Sequence, residues 1–253
     1  MNRAIHPGFG VENLLATYPR RRPPLGPELQ ARYVEEYRAN RTGKAPINAI
    51  VLALEGWMHR QIALRGSAGS VLELGGGTLN HLPYERVVDA YDVVEPFEEL
   101  WRHNPHRARV RRIYSDITDV PAANRYDRVI SVAVLEHLTE LPSVVARAAL
   151  KLSPSGYFQA GIPSEGGFLW GLAWRSVTAP AFRLRTGLPY DSLMRHEHVN
   201  TAREIVAVVR HMFREVSIRR FPLPLLHGSF YTYLEARDAC EARCRSLLAS
   251  RVT

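Results

Sequence analysis

Val71-Leu-Glu-Leu-Gly-Gly-Gly-Thr78 is a short strand-forming run that passes without a break into three glycines. Glycine is required where a backbone turns sharply and must approach a ligand with no Cβ in the way. Three together after a strand therefore suggest a turn that touches a bound molecule, the plain alternative being a tight turn and nothing more. Downstream, further β-rich runs recur: YDVVE at 91–95, RRIYS at 111–115, DRVISVAV at 127–134 and YFQAGI at 157–162. The segments between them are long enough for crossovers, so the strands should form a parallel sheet with helices on both faces. EVSIRRF at 215–221 and SFYTYLEA at 229–236 are separated only by PLPLLHG, too short for a helical crossover, and should pair as an antiparallel hairpin.

Upstream of Val71, PRRRPPLGP at 19–27 should be an extended approach. Apolar spacing then predicts one helix from Glu28 to about Ala39 and a second from Pro46 to Leu64. The expected fold is α/β: a doubly wound, mainly parallel seven-stranded sheet with a terminal antiparallel hairpin, N-terminal helices and an insertion after the fifth strand. The expected divisions are an N-terminal extension and helical cap at 1–66, a main domain at 67–236 with an insertion at 164–200, and a helical tail at 237–253, in which nothing names a partner.

The 253 residues are 46% hydrophobic and 23% charged, an ordinary balance for a packed globular chain. The start shows no apolar signal segment and no run approaches the length of a membrane span, so the expected location is cytoplasmic. Cys240 and Cys244, the two cysteines, suit reduced thiols. The formal net charge of +8 raises the question of nucleic acid, but its arginine runs, Arg20-Arg21-Arg22 and 107–112, read as solvated faces.

Glu95 ends the second strand, a little over 20 residues beyond Glu73, where a carboxylate can accept hydrogen bonds from both ribose hydroxyls of an adenosine-containing ligand. Asp116 ends the third strand, placed to accept from an adenine amino group, with Ile117 available to pack on the ring. A nicotinamide-binding loop would need a third glycine where Asn80 stands, which disfavours NAD. An aminopropyltransferase would carry an aspartate directly after the glycines, where this chain has Thr78.

With VLELGGGT, YDVVEP and SDI as its first three motifs, the sequence resembles the class I S-adenosylmethionine-dependent methyltransferases. The likeness continues through YDRVISVAVLEHL and KLSPSGYFQAGIP, covering roughly residues 67–163. It implies S-adenosyl-L-methionine as cofactor and S-adenosyl-L-homocysteine as product. It also implies that Glu73 orients the glycine loop, that Glu95 and Asp116 bind ribose and adenine, and that Gly75, Gly76, Gly77, Pro96, Ile117, Val132 and His137 line the same site.

If the acceptor is a hydroxyl, a general base helps, and histidine titrates in a useful range. The candidates are His137 in LEHL, directly after the fourth strand, and His196 and His198 in RHEHVN. Cap or loop roles are the alternative, with Asn200 or Thr201 capping the helix that follows. No third ligand accompanies His196 and His198 in the sequence, so no metal site is expected. The chain lacks the D/N-P-P-Y/F sequence of enzymes that methylate exocyclic base amines, which makes an amino-methylating nucleic-acid enzyme unlikely and leaves other RNA chemistries open, although nucleic acid is not the expected partner.

The insertion is rich in aromatic residues, including Phe168, Trp170, Trp174, Phe182 and Tyr190, and reads either as an acceptor-side lid or as core completion. Its FLWGLAW segment allows peripheral contact with a membrane but is too short to span one. EGWMHRQIA and GGGTLNHLPYE are similar to bacterial methyltransferases of surface polysaccharides or sugars. The expected acceptor is thus a hydroxyl on a saccharide or related small metabolite. The alternatives are an RNA-modifying methyltransferase and a domain that binds the cofactor without turnover.

Overall fold

A computed structural model describes residues 10–30, 49–66, 69–86 and 88–251. The helix expected at 28–39 lies outside the described residues from Ala31 onward, as do the first residues of the one expected at 46–64. That second helix, α2, runs Ala49–Leu64, and a short α1 at Val11–Leu15, unexpected from the sequence, precedes it. The chain continues through β1 (Ser70–Leu74), β2 (Ala90–Val94), α3 (Glu98–Trp101), β3 (Arg112–Tyr114), β4 (Tyr126–Val132), α4 (Leu141–Leu150) and β5 (Leu152–Pro163). The insertion folds as α5 (Phe168–Ala173), a π turn at Trp174–Thr178, α6 (Ala179–Thr186) and α7 (Tyr190–Glu197). Then follow α8 (Ala202–Met212), β6 (Phe213–Pro222), β7 (Ser229–Ala239) and α9 (Glu241–Ala249).

The strands form one seven-stranded sheet in the order β3-β2-β1-β4-β5-β7-β6. β1 to β5 pair in parallel, while β7 runs antiparallel to both β5 and β6. Alternate residues of each strand go to opposite faces. Val71, Tyr91, Val93 and Ile130 pack with Ile62 of α2 and with Leu79 and Leu82 of the turn after β1. Leu72, Leu74 and Val129 pack on the other face with α4, α8, α9 and the α1 residues Leu14 and Leu15. The tail is part of this second core: Cys244 is fully buried, and Arg251 binds Glu140 and the Leu15 carbonyl. The divisions at 66 and 236 therefore do not separate independent cores.

α8 illustrates how local sequence sets an element that the site depends on. Thr201 and Glu204 form a reciprocal capping box, each side chain accepting from the other's backbone N–H. The buried side of the helix is Ala202, Ile205, Val206, Val208, Val209 and Met212.

Several arginines of the two runs serve as structural ties, while Arg21 and Arg112 lie exposed, as the sequence implied. Arg20 makes a two-point ion pair with Glu204 and donates to the Val199 carbonyl. Arg22 donates to the carbonyls of His196 and His137, each at 2.8 Å. Arg109 donates to the Leu82 and Glu85 carbonyls, and Arg111 pairs with the buried Asp92.

Behind β1 and β4, His59, His81, Glu85 and Arg128 form a buried polar chain. His81 Nδ1 lies 3.0 Å from His59 Nδ1 and its Nε2 lies 3.1 Å from Glu85, which pairs with Arg128 at 2.9 Å. With Nε2–H donated to Glu85, His81 accepts from a neutral His59. Burial, then the neighbouring His81, pushes the His59 imidazole down to about 3. The unfolded chain thus takes up a proton below about pH 6.5 that the folded chain refuses, so stability falls as the solution is acidified. Going from pH 7 to pH 5, wild type should lose about 2 kcal/mol through His59 that a His59→Gln variant retains. Urea unfolding at the two pH values checks this; equal losses in both proteins would contradict it.

Candidate active site

The glycine turn at the end of β1 is closed on one side and open on the other. Gly75 has φ +70°, and a side chain there would collide with Val134, which follows β4. A Cβ on Gly76 would stand 2.5 Å from Val93 Cγ1, whereas nothing lies within 4 Å of that position on Gly77. This is a cradle of backbone facing open space, bounded by the segments that follow β2 and β4.

Two carboxylates organise the cradle. Glu73 is buried beneath it, accepts from the Tyr91 hydroxyl at 2.9 Å, and is raised in pKa by burial. Glu95, directly after β2, accepts from Gly77 N–H at 2.8 Å and from Phe97 N–H at 3.1 Å. A carboxylate has about four acceptor positions, so two remain for a pair of hydroxyls. Pro96 is exposed at the same rim, and Val132 ends β4 half-buried. Asp116 caps the turn at Ile117–Asp119, accepts from Thr118, and stays exposed. Ile117, expected to be available to pack on an adenine ring, packs in the core at 4% exposure. The broad cleft that includes Asp116 and Ile117 runs between α1, α4 and α9, and none of Gly75, Gly77, Glu95, His137 or His198 lines it.

The histidines separate. His196 turns away and donates from Nδ1 to the Pro23 carbonyl at 2.8 Å. His137 and His198 come together edge to face, with ring centroids 4.9 Å apart. His137 Nδ1 donates to the Glu197 carbonyl at 2.9 Å, and its Nε2 lies 3.8 Å from the buried Glu136 carboxyl. His198 Nδ1 donates at 3.0 Å to Glu165, which also accepts from Trp170 Nε1 at 2.6 Å. In the neutral form of both rings, these hydrogen bonds place the proton on Nδ1 and the lone pair on Nε2.

Burial, then His198, pushes His137 down to about 4. Burial lifts Glu136 to about 7 against the opposing pull of His198. For His198, burial acts downward but is outweighed by the hydrogen bond to Glu165 and the charges of Glu136 and Glu165, so its pKa is raised.

Asn200 holds the two histidine segments together. Its amide donates to the Leu135 and Leu138 carbonyls, and it accepts from the Tyr18 hydroxyl. The backbone N–H groups of Val199 and Asn200 both donate to the Glu136 carbonyl. Sequence reading missed Glu165, Glu197, Trp170 and Arg22 as parts of this cluster. Glu165 had a usable signal, since it follows the carboxyl end of β5, where ligands on such sheets bind.

The insertion is both core and cover. Trp174, Phe182 and Met194 are buried, and Tyr190 packs on Trp174 and Phe182. Phe168, Leu172 and Leu184 are exposed, and Trp170 stacks over His198. Among the described residues, no helix is long and apolar enough to cross a membrane.

Residues 48–217 match a family described as methyltransferase domain. No curated protein matches the chain. Among solved structures, the chain is similar to a SAM-dependent methyltransferase of Thermotoga maritima, a possible histamine N-methyltransferase. They share 15% identity over 81% of this chain and 96% of that one, with a TM-score of 0.57. An O-methyltransferase family protein of Burkholderia thailandensis shares 17% over 88% and 66%, at 0.54. The N-methyltransferase NodS of Bradyrhizobium japonicum, solved with S-adenosyl-L-homocysteine, shares 15% over 76% and 89%, at 0.51. At these identities the likeness is one of fold. The family match spans β1 to β5 and α8, the part of the chain that builds the glycine cradle and the strand ends around it. The chain therefore belongs to the methyltransferase-domain family and is a class I S-adenosylmethionine-dependent methyltransferase.

Proposed function

We propose that this enzyme methylates a hydroxyl oxygen of a saccharide or related small metabolite. Glu73 and Gly75, Gly76 and Gly77 hold the methionine end of the donor, Glu95 and Pro96 the ribose, and Asp116 and the Ile117 backbone the adenine. Val132 and His137 border the reacting end. When bound, S-adenosylmethionine supplies an activated methyl on a positively charged sulfur.

The observation that carries the oxygen assignment is the His198–Glu165 dyad beside His137 and Glu136. An amine attacks with its own lone pair, whereas a hydroxyl must shed its proton as the new bond forms. His198, with Nδ1–H held by Glu165, has Nε2 available to take that proton, and Glu165 steadies the resulting imidazolium. As the acceptor O–H bond breaks, the O–C bond forms and the departing sulfur keeps the C–S electron pair. Alignment of the two reactants can contribute roughly 7–11 kcal/mol of barrier reduction and the base about 10²–10⁴ in rate.

Trp170 and the exposed Phe168 and Leu172 supply apolar and aromatic surface suited to a sugar face. Arg20, Arg22, Arg109 and Arg111 are engaged in internal ties, which weakens the case for nucleic acid. The free thiols of Cys240 and Cys244, both buried, fit a reducing, cytoplasmic setting.

The test is transfer of a ¹³C-labelled methyl to fractionated small-molecule acceptors, with the linkage read by NMR. Methoxyl carbon in a saccharide fraction is the expected result. Labelled N-methyl carbon, or RNA as the labelled fraction with transfer that falls steeply with salt, would overturn the assignment.

A further inference from the structure

The cluster has the form of a cation site whose ligands come from distant parts of the chain. Glu136, His137 and His198 each offer a ligand atom, and these atoms all lie within 4.8 Å of one another. Three donors at about 2.0–2.2 Å from a zinc-sized ion stand roughly 3.4 Å apart, so closing the separations by at most about 1.4 Å brings them into range. His196, the near neighbour of His198 in sequence, has no part in it.

Three features distinguish this group from an accidental cluster. Both imidazoles are held through Nδ1–H, His137 by the Glu197 carbonyl and His198 by the Glu165 carboxylate. Metal-ligating histidines are oriented in this way, the second ring nitrogen donating to a carbonyl or carboxylate while the first keeps its lone pair. The outer groups are themselves braced: Trp170 donates to Glu165, and Arg22 donates to the Glu197 carbonyl and pairs with its carboxylate. Finally, Glu136 is 1% exposed, and its Oε2 is buried with no hydrogen-bond partner. A buried carboxyl oxygen without a donor is rare in a native fold and calls for a cation or a proton.

We propose that Glu136, His137 and His198 bind one divalent transition-metal ion, with Glu165 and Glu197 as its outer shell. Two imidazoles and one carboxylate suit zinc, iron, cobalt or manganese better than calcium or magnesium. Three protein ligands leave a position open, as in catalytic metal sites. This deepens the hydroxyl-acceptor reading and rests on it for the role of the open position, which would take the acceptor oxygen. A coordinated hydroxyl loses its proton to solvent more readily. Its oxygen then forms the O–C bond while the donor C–S bond breaks and sulfur keeps the pair. With the ion bound, His198 serves as a ligand and the ion replaces it in acidifying the hydroxyl.

The test uses the full-length protein, stripped with a chelator and titrated with Zn²⁺ by calorimetry and with Co²⁺ by visible absorption. One equivalent of each ion should bind, and Co²⁺ should show d–d bands of low coordination number. His137→Ala, His198→Ala and Glu136→Gln should each weaken binding tenfold or more, Glu165→Gln by about tenfold, and His196→Ala not at all. Circular dichroism and thermal melting of the same variants check that each is folded. Wild-type affinity weaker than about 100 µM, or equal affinity in wild type and the three ligand variants, would overturn the site. Failure of methyl transfer to hydroxyls with the metal titration intact would instead remove the acceptor reading and leave the cation site standing.

Discussion

Alanine in place of Glu95 is expected to reduce S-adenosylmethionine affinity a hundredfold or more. The carboxylate accepts from Gly77 and Phe97 N–H, which ties the glycine turn to the segment after β2. Its two remaining acceptor positions suit the two ribose hydroxyls. Hydrogen bonds to a charged group contribute about 1.5–3 kcal/mol each, so losing two costs roughly 3–6 kcal/mol. At 1.4 kcal/mol per tenfold, that is at least a hundredfold in affinity, before any loosening of the turn is counted. Glu95→Gln keeps one oxygen acceptor and should fall between the two. Calorimetric titration with S-adenosylmethionine, and with NAD as a control that should not bind, reads the result directly. An affinity within threefold of wild type in Glu95→Ala would remove Glu95 from the donor site, and preferential binding of NAD would undo the donor assignment altogether.

The second large effect is expected at His198. His198→Ala should lower kcat by about 10²–10⁴ while leaving S-adenosylmethionine affinity within a few-fold of wild type. The separation follows from the geometry. His198 lies against His137, Trp170 and Glu165, whereas the glycine cradle is built by Gly75, Gly76, Gly77, Glu73 and Glu95. His198→Gln, which cannot take up the proton, should be as slow as the alanine variant. Glu165→Gln keeps an acceptor for Nδ1–H without the charge and should be slowed less. Single-turnover rates with a hydroxyl acceptor provide the measurement. A kcat for His198→Ala within threefold of wild type would show that this imidazole neither takes the proton nor holds a group that does.

The elements were largely present in the sequence because their determinants are local. VLEL before three glycines marked β1 and its turn, and β1 occupies Ser70–Leu74. Seven residues, PLPLLHG, between the last two expected strands left no room for a crossover, and β6 and β7 pair antiparallel. Asn200 or Thr201 was the expected cap of the helix near Ala202, and Thr201 is the residue that caps α8. Strand ends matter because crossovers in a parallel sheet return the chain to the same edge, so the segments after β2 and β4, with Glu95 and Val134, converge on the glycine turn.

Which side chains meet at that edge was decided by tertiary structure alone. The HEH run in RHEHVN offered two neighbouring histidines, yet the last turn of α7 sends His196 toward Pro23, while His198, at its carboxyl end, reaches His137. Arg20 and Arg22 read as surface charge until the N-terminal strap laid them against Glu204, Glu197 and the two histidine segments. Ile117 looked available to a ligand because its position after β3 was readable and the direction of its side chain was not. Periodicity and turn chemistry act over a few residues and fix where strands and helices begin and end. The meeting of Glu136, His137, Glu165 and His198 depends on how β4, β5 and α7 pack, a property of the assembled core that no local stretch carries.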